Sequence, residues 1–486
     1  MPVRRRESRR RAYSELDLAA IAYACLLSIA CLARGAVYDG FIALMLVVAL
    51  PMLWLAMAQV RPVHVQLLKV GQYLLAALVI VLLAQWIFSG KGPQNLWPQV
   101  GSITGQHLVE HALQDKWAWL ASIARLLLFV ITFVMALLIG ASEASTRIFF
   151  QTLLASGVAC LTITFFFTVS DGVPTSTFYS YHHGFVNPNN AAAYLGVMLL
   201  LTLLQAVRFF KLPNFSEINL IMALDQLTVR IVSKAGYILY SMCLVLAGLF
   251  MTGSRAGILL SLLSALAFLL MIAHKATRRS KHRPLILFTA MLLTGTMLGW
   301  SYGNFGQIIK NKMRNDGISS NSRTDIMAAT LPMIADHPLL GSGLGSFPGV
   351  FQQYRPTDVS ADGIIDKAHN SYLEFAAEMG VPALAALLGA LGWMGWQLYR
   401  AYRQRSSRYS ACAFGLCAWL LAAYDSLVDF PLQIPGLAAV FIAVVTVCTA
   451  QTDPRFLLLA KTAQPAMQRV RVRKRRRGPP VRAIVP

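Results

Sequence analysis

The run WAWLASIARLLLFVITFVMALLIG, residues 117–140, contains a single charged side chain, Arg125. About 20 apolar residues in a helix cross the roughly 30 Å of hydrocarbon in a bilayer, so this run predicts a membrane-spanning helix. A charge inside such a span is costly in lipid. We therefore expect Arg125 to face the interior of a helix bundle and to pair with an acidic side chain or with carbonyl groups.

The composition of the whole chain extends this prediction. Of the 486 residues, 56% are hydrophobic and 13% are charged, and the mean hydropathy is +0.56. Soluble domains carry about 25% charged residues, so the sequence predicts an all-α polytopic membrane protein. Apolar runs predict about twelve spans, near residues 18–34, 40–58, 67–88, 117–140, 148–169, 191–208, 235–252, 256–273, 284–302, 372–398, 409–425 and 435–450.

Basic residues predict the orientation of these spans. They concentrate before the first span and after the last one, in a chain with a formal net charge of +22. Because lysine and arginine stay on the cytoplasmic side, we expect both termini in the cytoplasm. The charge follows the topology and no nucleic-acid-binding motif accompanies it, which argues against a nucleic-acid partner. Anionic membrane lipids are the expected partner of the basic tail.

This topology divides the chain into five parts. They are a basic cytoplasmic N-terminus (1–17), nine spans (18–302), one large periplasmic loop (303–371), three further spans (372–450) and a basic cytoplasmic tail (451–486). Within the loop, Ser322 followed by Asp325 is typical of a helix start and predicts a short helix to about Ile334. The loop therefore contains ordered structure.

Two arginines at the outer surface are candidates for binding a phosphate group. Arg255 lies in the tight turn TGSRAG, residues 252–257, and Arg323 lies at the start of the loop helix. A guanidinium makes paired, charge-assisted hydrogen bonds to phosphate at any relevant pH. The alternatives are contact of Arg255 with lipid headgroups and an ion pair between Arg323 and a neighbouring acid.

His369 is the candidate general base, in the stretch KAHNSYLEFAAEMG at residues 367–380. An imidazole near its ordinary pKa is a good base at neutral pH, although a histidine at a helix start can also be purely structural. Asn370 and Glu374 follow closely, and they are further candidates for binding the glycan or the acceptor. Asp425 and Asp429 flank the outer turn between the last two spans, where they could neutralise a nearby arginine.

A second outside segment, YSYHHGFVNPNN at residues 179–190, combines aromatic rings with amides. Such side chains suit sugar hydroxyls and pyranose faces, so Tyr181, His182, Asn187 and Asn190 are candidates for binding a glycan. An aromatic belt at the membrane interface is the alternative for its tyrosines. No further histidine, cysteine or acid stands at metal-ligand spacing beside the two histidines, and no metal is expected.

Five stretches together resemble the O-antigen ligase and polymerase superfamily of bacterial envelope glycosyltransferases. They are FVNPNNAAAYLG (185–196), TGSRAG (252–257), NSR (321–323), HPLLGSGLGSF (337–347) and AHNSYLEFAAEMGVPAL (368–384). The glycines at 341, 343 and 345 are spaced like a phosphate-binding loop, but no strand precedes them, which excludes a dinucleotide fold.

The resemblance implies a helical GT-C-type fold and a metal-independent, inverting transferase without a cofactor. Such an enzyme acts at the periplasmic face of the bacterial inner membrane on a glycan carried by undecaprenyl diphosphate. The family's arginine in the GSR turn corresponds to Arg255, and its loop histidine corresponds to His369. The family ligases use a further arginine near the asparagine-rich segment, where this chain has His182 and His183, and Arg323 is the expected substitute.

The acceptor stays open at this point. A ligase uses lipid A core, a polymerase uses another lipid-linked repeat, and some relatives use protein. The twelve-span layout with one dominant loop favours the ligase. A transporter of lipid-linked sugars is the alternative from another class, but transporters place polar groups at the membrane midplane, whereas here they gather at the outer surface.

Overall fold

A computed structural model describes residues 14–57, 76, 78–87, 116–170, 184–209, 235–276, 320–356, 365–404 and 408–452. Every regular element among these residues is helical, and no strand occurs in them. The protein is all-α, as its composition predicts.

Eight helices in the described part of the chain are long and apolar enough to cross a membrane. They are α1 (Glu15–Leu32), α2 (Asp39–Met57), α4 (Lys116–Gly140), α5 (Glu143–Ser170), α6 (Pro188–Phe209), α8 (Arg255–Ala276), α12 (Val381–Gln404) and α13 (Tyr409–Val428). Three shorter apolar helices are α3 (Leu78–Ile87), α7 (Gly236–Met251) and α14 (Pro435–Ala450). The predicted span at 284–302 lies outside the described residues, so the total of twelve stays a prediction.

Three further helices belong to the polar segments. They are α9 (Ser320–Asp336), the single turn α10 (Phe347–Val350) and α11 (Ser371–Met379). Helix α9 confirms the helix predicted in the loop, although it begins two residues before Ser322. Its apolar face packs on the next segments in a small core of its own, formed by Ile326, Met333, Phe347, Phe351 and Ala377, among others.

The predicted span at 372–398 is two helices in the structure. Helix α11 ends at Gly380, whose φ of 84° lies in the left-handed region. A side chain there would collide with the carbonyl of Leu339, and the next amide, of Val381, donates to the carbonyl of Pro338 at 2.8 Å. Hydropathy does not predict this break, because the break depends on backbone geometry and on contacts with the loop at 337–347.

Close packing of small residues sets the helix directions. Gly257 in α8 touches Ala192 in α6, and Ser261 Oγ donates to the Ala192 carbonyl at 3.3 Å. Both helices therefore start at the same end of the bundle. Helix α13 runs the other way, because Leu421 lies beside Gly196 and Asp429 reaches Asn189. We call the end that holds Asn189, Gly257 and Asp429 the motif end.

We call the opposite end of the bundle the terminal end, because the first and last described residues lie there. Ser145 Oγ donates to Asp17 Oδ1 at 2.7 Å, and Gln451 Nε2 donates to Thr146 Oγ1 at 3.2 Å. The start of α1 and the end of α14 therefore lie at the same end of the bundle, as expected for an even number of membrane crossings. Which end faces the cytoplasm stays a prediction.

Arg125 has the acidic partner that the sequence predicts, but the pair does not lie in the interior of the bundle, since the Asp39 side chain is 67% exposed. Its Nη2 lies 3.2 Å from Asp39 Oδ1, at the start of α2. This pair also places the beginning of α4 beside the beginning of α2.

Candidate active site

The asparagine-rich segment contributes to the site at the start of α6. Asn187 Oδ1 accepts the backbone N–H of Asn189 at 2.8 Å, which is the bond expected of a residue that caps a helix. This cap turns Asn189 toward α13, where its amide donates to Asp429 Oδ2. Asn190 is 1% exposed and points into the bundle.

Arg255 is the first residue of α8. The preceding turn contains Gly253 with a φ of 60°, and Ser254 Oγ caps the helix by accepting the Gly257 N–H at 3.1 Å. The Arg255 side chain is exposed at the motif end, and it makes no hydrogen bond or ion pair with another described residue. Its charge is therefore accessible to a ligand.

His369 lies between two anchored stretches of backbone. Its own φ is 52°, which is uncommon for a residue with a side chain. On one side, Asn370 caps α11 by accepting the amides of Tyr372 and Leu373, and its Nδ2 donates to the Leu427 carbonyl at 3.0 Å. The unusual backbone turn is thus held against the end of α13.

Glu374 and Lys367 anchor the other side. Glu374 Oε2 accepts the Ala368 N–H at 2.9 Å, and its Oε1 lies 3.4 Å from the Lys367 ammonium. Burial alone would lower the pKa of Lys367, but the carboxylates of Glu374, Glu378 and Asp366 together raise it above its ordinary value. Burial raises the pKa of Glu374, and the Lys367 charge opposes that shift. The contacts of Glu374 fix the chain just before His369.

Asp429 joins the separate segments. Its side chain is 2% exposed, and its two oxygens lie 3.9 Å from His369 Nδ1 and 3.9 Å from Arg323 Nη1. One oxygen also accepts the Phe430 N–H at 2.9 Å. The Phe430 ring stands edge-on to the imidazole, with ring centres 5.2 Å apart. A carboxylate, an imidazole and a guanidinium therefore share one corner of the motif end.

The surroundings of His369 favour its neutral form. Burial lowers the pKa of the imidazole below its ordinary 6.5, the Asp429 carboxylate opposes this shift, and the Arg323 guanidinium adds to it. The side chain is 23% exposed. Its buried nitrogen, Nδ1, has no hydrogen-bond partner among the described residues. A neutral, partly accessible imidazole can accept a proton.

The glycine loop at 337–347 binds a helix end instead of a phosphate. Its backbone N–H groups are already used: Gly341 donates to the His337 carbonyl at 3.0 Å, Ser342 to Ala377 at 2.8 Å and Gly343 to Glu378 at 3.1 Å. Gln85 of α3 closes the loop, donating to the Leu340 carbonyl at 2.6 Å. This loop holds the C-terminal end of α11, the helix that begins two residues after His369.

A comparison with protein families identifies the central segment. Residues 240–388 match the family described as O-antigen ligase. We call these residues the O-antigen ligase domain. This match confirms the resemblance for the four stretches that lie within it, from TGSRAG to the stretch at 368–384, and the apolar helices of the described residues indicate a multi-pass membrane protein. No curated protein matches the chain.

The O-antigen ligase domain contains Arg255, Arg323 and His369, but not the groups that join them. Asn189 precedes the matched residues and Asp429 follows them, by 51 and 41 positions. The fold brings both to the domain through the packing of α6 and α13. The structure therefore unites His369, Arg323 and the asparagine-rich segment directly, and it places Arg255 at the same end of the bundle.

Two residues proposed for glycan binding have structural contacts here, and a third is buried. Glu374 is 3% exposed and holds Lys367 and Ala368, and Asn370 uses its amide for the helix cap and for Leu427. Asn190 is buried, with no partner for its amide among the described residues. Asn187 is partly exposed. Tyr181 and His182 lie outside the described residues, and the described part of the chain contains no cluster of three metal-ligating side chains.

Sequence reasoning missed Asn189 and Gln85 and treated Asp429 only as a possible neighbour of an arginine. A local signal for Asn189 existed. Asn187 followed by Pro188 is a typical helix start, so the Asn187 side chain caps the helix and the Asn189 side chain stays available for another contact. Gln85 is a polar residue within an apolar run. Its partners, at Leu340 and Glu378, are about 250 to 290 positions away in the chain, so no local pattern could identify them.

Glu378, in the O-antigen ligase domain, predicts a dependence of stability on pH. Burial, together with the charge of Glu374, raises its pKa from 4.5 to about 7. In the folded protein the ionised form is disfavoured, so stability falls as pH rises from about 4.5 to 7. We expect Glu378→Gln to raise the free energy of unfolding by roughly 1–3 kcal/mol above pH 7 and to have little effect below pH 5.

Thermal melting of the purified protein at pH 5 and pH 8 measures this difference. Asp366→Asn, at an exposed carboxylate one residue before Lys367, is the matched control. Equal melting shifts for Glu378→Gln at both pH values would contradict the prediction.

Proposed function

We propose that the protein transfers a glycan from undecaprenyl diphosphate to an acceptor hydroxyl at the periplasmic face of the bacterial inner membrane, as an O-antigen ligase. The observation that carries this proposal is Asp429, which lies 3.9 Å from both His369 and Arg323. It puts a base and a cation in one corner of the motif end, where Arg255 is also exposed.

His369 is the general base in this proposal. Asp429 lies on the Nδ1 side of the ring, 3.9 Å away, which leaves Nε2 to take the proton from the acceptor hydroxyl. The imidazolium that forms is then stabilised by the Asp429 carboxylate. Glu374 and Asn370 act as positioning residues, because they hold the backbone on the two sides of His369.

Arg255 and Arg323 bind the diphosphate of the donor. Negative charge develops on the diphosphate as the anomeric C–O bond breaks, and fixed cations lower the energy of that transition state. Arg255 is free to meet the donor, and the Arg323 side chain is 39% exposed despite its contact with Asp429. Two guanidinium groups supply the charge that a metal ion supplies in other transferases.

The acceptor attacks the anomeric carbon from the face opposite the diphosphate, which inverts the configuration. His369 and the arginines then act on opposite sides of the sugar. Tyr181, His182 and Asn187 are the remaining candidates for contacts with the glycan, since Asn370 and Glu374 have structural contacts and Asn190 is buried. The acceptor is lipid A core in a ligase and a second lipid-linked repeat in a polymerase.

Deletion of the gene tests this function. We expect lipopolysaccharide with unmodified core and accumulation of polymer on undecaprenyl diphosphate, both visible on gels of membrane lipids. Accumulation of single lipid-linked repeats would instead show a polymerase. Loss of glycan from a periplasmic protein, with normal lipopolysaccharide, would show a protein transferase.

The groups around His369 predict opposite shifts in the pH profile of transfer. A base works only when unprotonated, so activity falls as pH drops through the pKa of His369, which lies below 6.5. Asp429→Asn removes a charge that raises this pKa and moves the acid limb to lower pH. Arg323→Gln removes a charge that lowers it and moves the limb to higher pH.

Initial rates between pH 4.5 and 8, with saturating donor and acceptor, measure both shifts. Arg355→Gln, in the same polar segment, should leave the limb in place. Shifts of the same sign in the two variants would contradict the assignment of His369 as the titrating group.

A further inference from the structure

A group of positive charges lies at the terminal end of the bundle, away from the candidate active site. Arg208 is in the last turn of α6, and its Cζ lies 5.9 Å from the centre of the Phe150 ring. Phe150 is fully buried and packs edge-on against Phe414, with ring centres 5.3 Å apart. The ring is fixed, and it holds the guanidinium in one place.

Two buried N–H donors in this group have no acceptor among the described residues. They are Nη1 of Arg208 and Nε2 of Gln205. Gln205 precedes Arg208 by three residues, so the two side chains share one face of α6. A buried donor without an acceptor is destabilising, and more so when it carries charge. Among the described residues, no acceptor meets either donor, and a single acceptor group placed here could meet both.

The charges here are also unbalanced. Glu143 lies 3.6 Å from Arg147 and 2.6 Å from Arg408, and the charges of Arg147 and Glu143 both act on Arg208. Glu143 thus faces three guanidinium groups, while Asp17 at the same end accepts a hydrogen bond from Ser145. Arg147 precedes Phe150 by three residues, so the two side chains share one face of α5.

We propose that Arg147, Gln205 and Arg208 bind the phosphate group of an anionic phospholipid between α5 and α6. A phosphate offers several acceptor oxygens and the negative charge that the cluster lacks, and guanidinium groups bind it in pairs of hydrogen bonds. The ends of membrane-crossing helices lie at the level of lipid headgroups, and basic pockets between such helices bind anionic lipids. The site is separate from the diphosphate site at the motif end.

Thermal melting of the full-length protein in a neutral detergent tests this proposal. A short-chain phosphatidylglycerol is titrated against phosphatidylcholine and against inorganic phosphate. We expect phosphatidylglycerol to raise the melting midpoint in a saturable way, and the other two to have little effect. An equal effect of phosphatidylcholine, or of inorganic phosphate, would overturn the assignment to an anionic phospholipid.

Two variants locate the site. Arg208→Gln is expected to raise the apparent Kd for phosphatidylglycerol about tenfold or more. Gln205→Glu supplies a carboxylate to Arg208, so it should raise the midpoint without lipid and remove the response to lipid. Arg34→Gln, at an exposed arginine of the motif end, is the control and should bind as the wild type does. Wild-type binding by both α6 variants would overturn the proposal.

Discussion

Replacing His369 with asparagine is expected to lower the rate of glycan transfer by about 10²–10⁴-fold, the usual contribution of a general base. Asparagine is the best test, because it tolerates the left-handed backbone that His369 adopts at a φ of 52°. The helix cap at Asn370 and the contact of Glu374 with Ala368 should therefore persist. The loss then reports the missing imidazole and not a disturbed loop.

A second histidine of the same polar segment provides the control. His337 contributes its backbone carbonyl to Gly341 at 3.0 Å, which His337→Gln retains. Transfer is measured with purified protein, lipid-linked donor and acceptor at pH 7.5. A His369→Asn enzyme that retained more than a tenth of the wild-type rate would remove His369 from its role as the base.

Replacing Arg255 with alanine is expected to lower transfer by about 10²–10³-fold, because the transition state loses a fixed cation next to the diphosphate. The N-terminal turn of α8 should survive, since Ser254 caps it through Gly257 and Arg255 has no partner among the described residues. Arg255→Lys keeps the charge but loses the paired hydrogen bonds, so we expect an intermediate rate.

The order of the three rates is the measurement that matters. Arg355→Gln, at an arginine that donates to Gln352 Oε1 at 3.3 Å, controls for the loss of a positive charge near the polar loop. If Arg255→Lys were as slow as Arg255→Ala, bidentate geometry and not charge would be the main contribution. Wild-type rates for both would show that the donor diphosphate binds elsewhere.

The fold class follows from local properties of the chain. Apolar runs such as 117–140 predict helices in a membrane because length and composition are sufficient for that prediction. The loop helix α9 was predicted from a helix-start pattern, and the pairing of Arg125 with an acid was predicted from the cost of a charge in lipid. Each of these predictions needs only neighbouring residues, and each is confirmed.

The division of residues 372–398 at Gly380 shows where local reasoning ends. The apolar composition continues across this glycine, so hydropathy predicts one span. The break arises because the loop at 337–347 packs against the end of α11 and uses its carbonyl groups. These contacts join residues about 40 positions apart, and they depend on the left-handed φ of a single glycine.

The sequence by itself determined that the protein is built from apolar helices and that the segment with Arg255, Arg323 and His369 resembles the O-antigen ligase family. Only the tertiary structure decided which side chains meet. Asn189 meets Asp429, and Asp429 lies near His369 and Arg323, because α6 and α13 pack antiparallel. A carboxylate affects an imidazole only when the two lie within a few ångströms, and the number of residues between them in the sequence does not predict that distance.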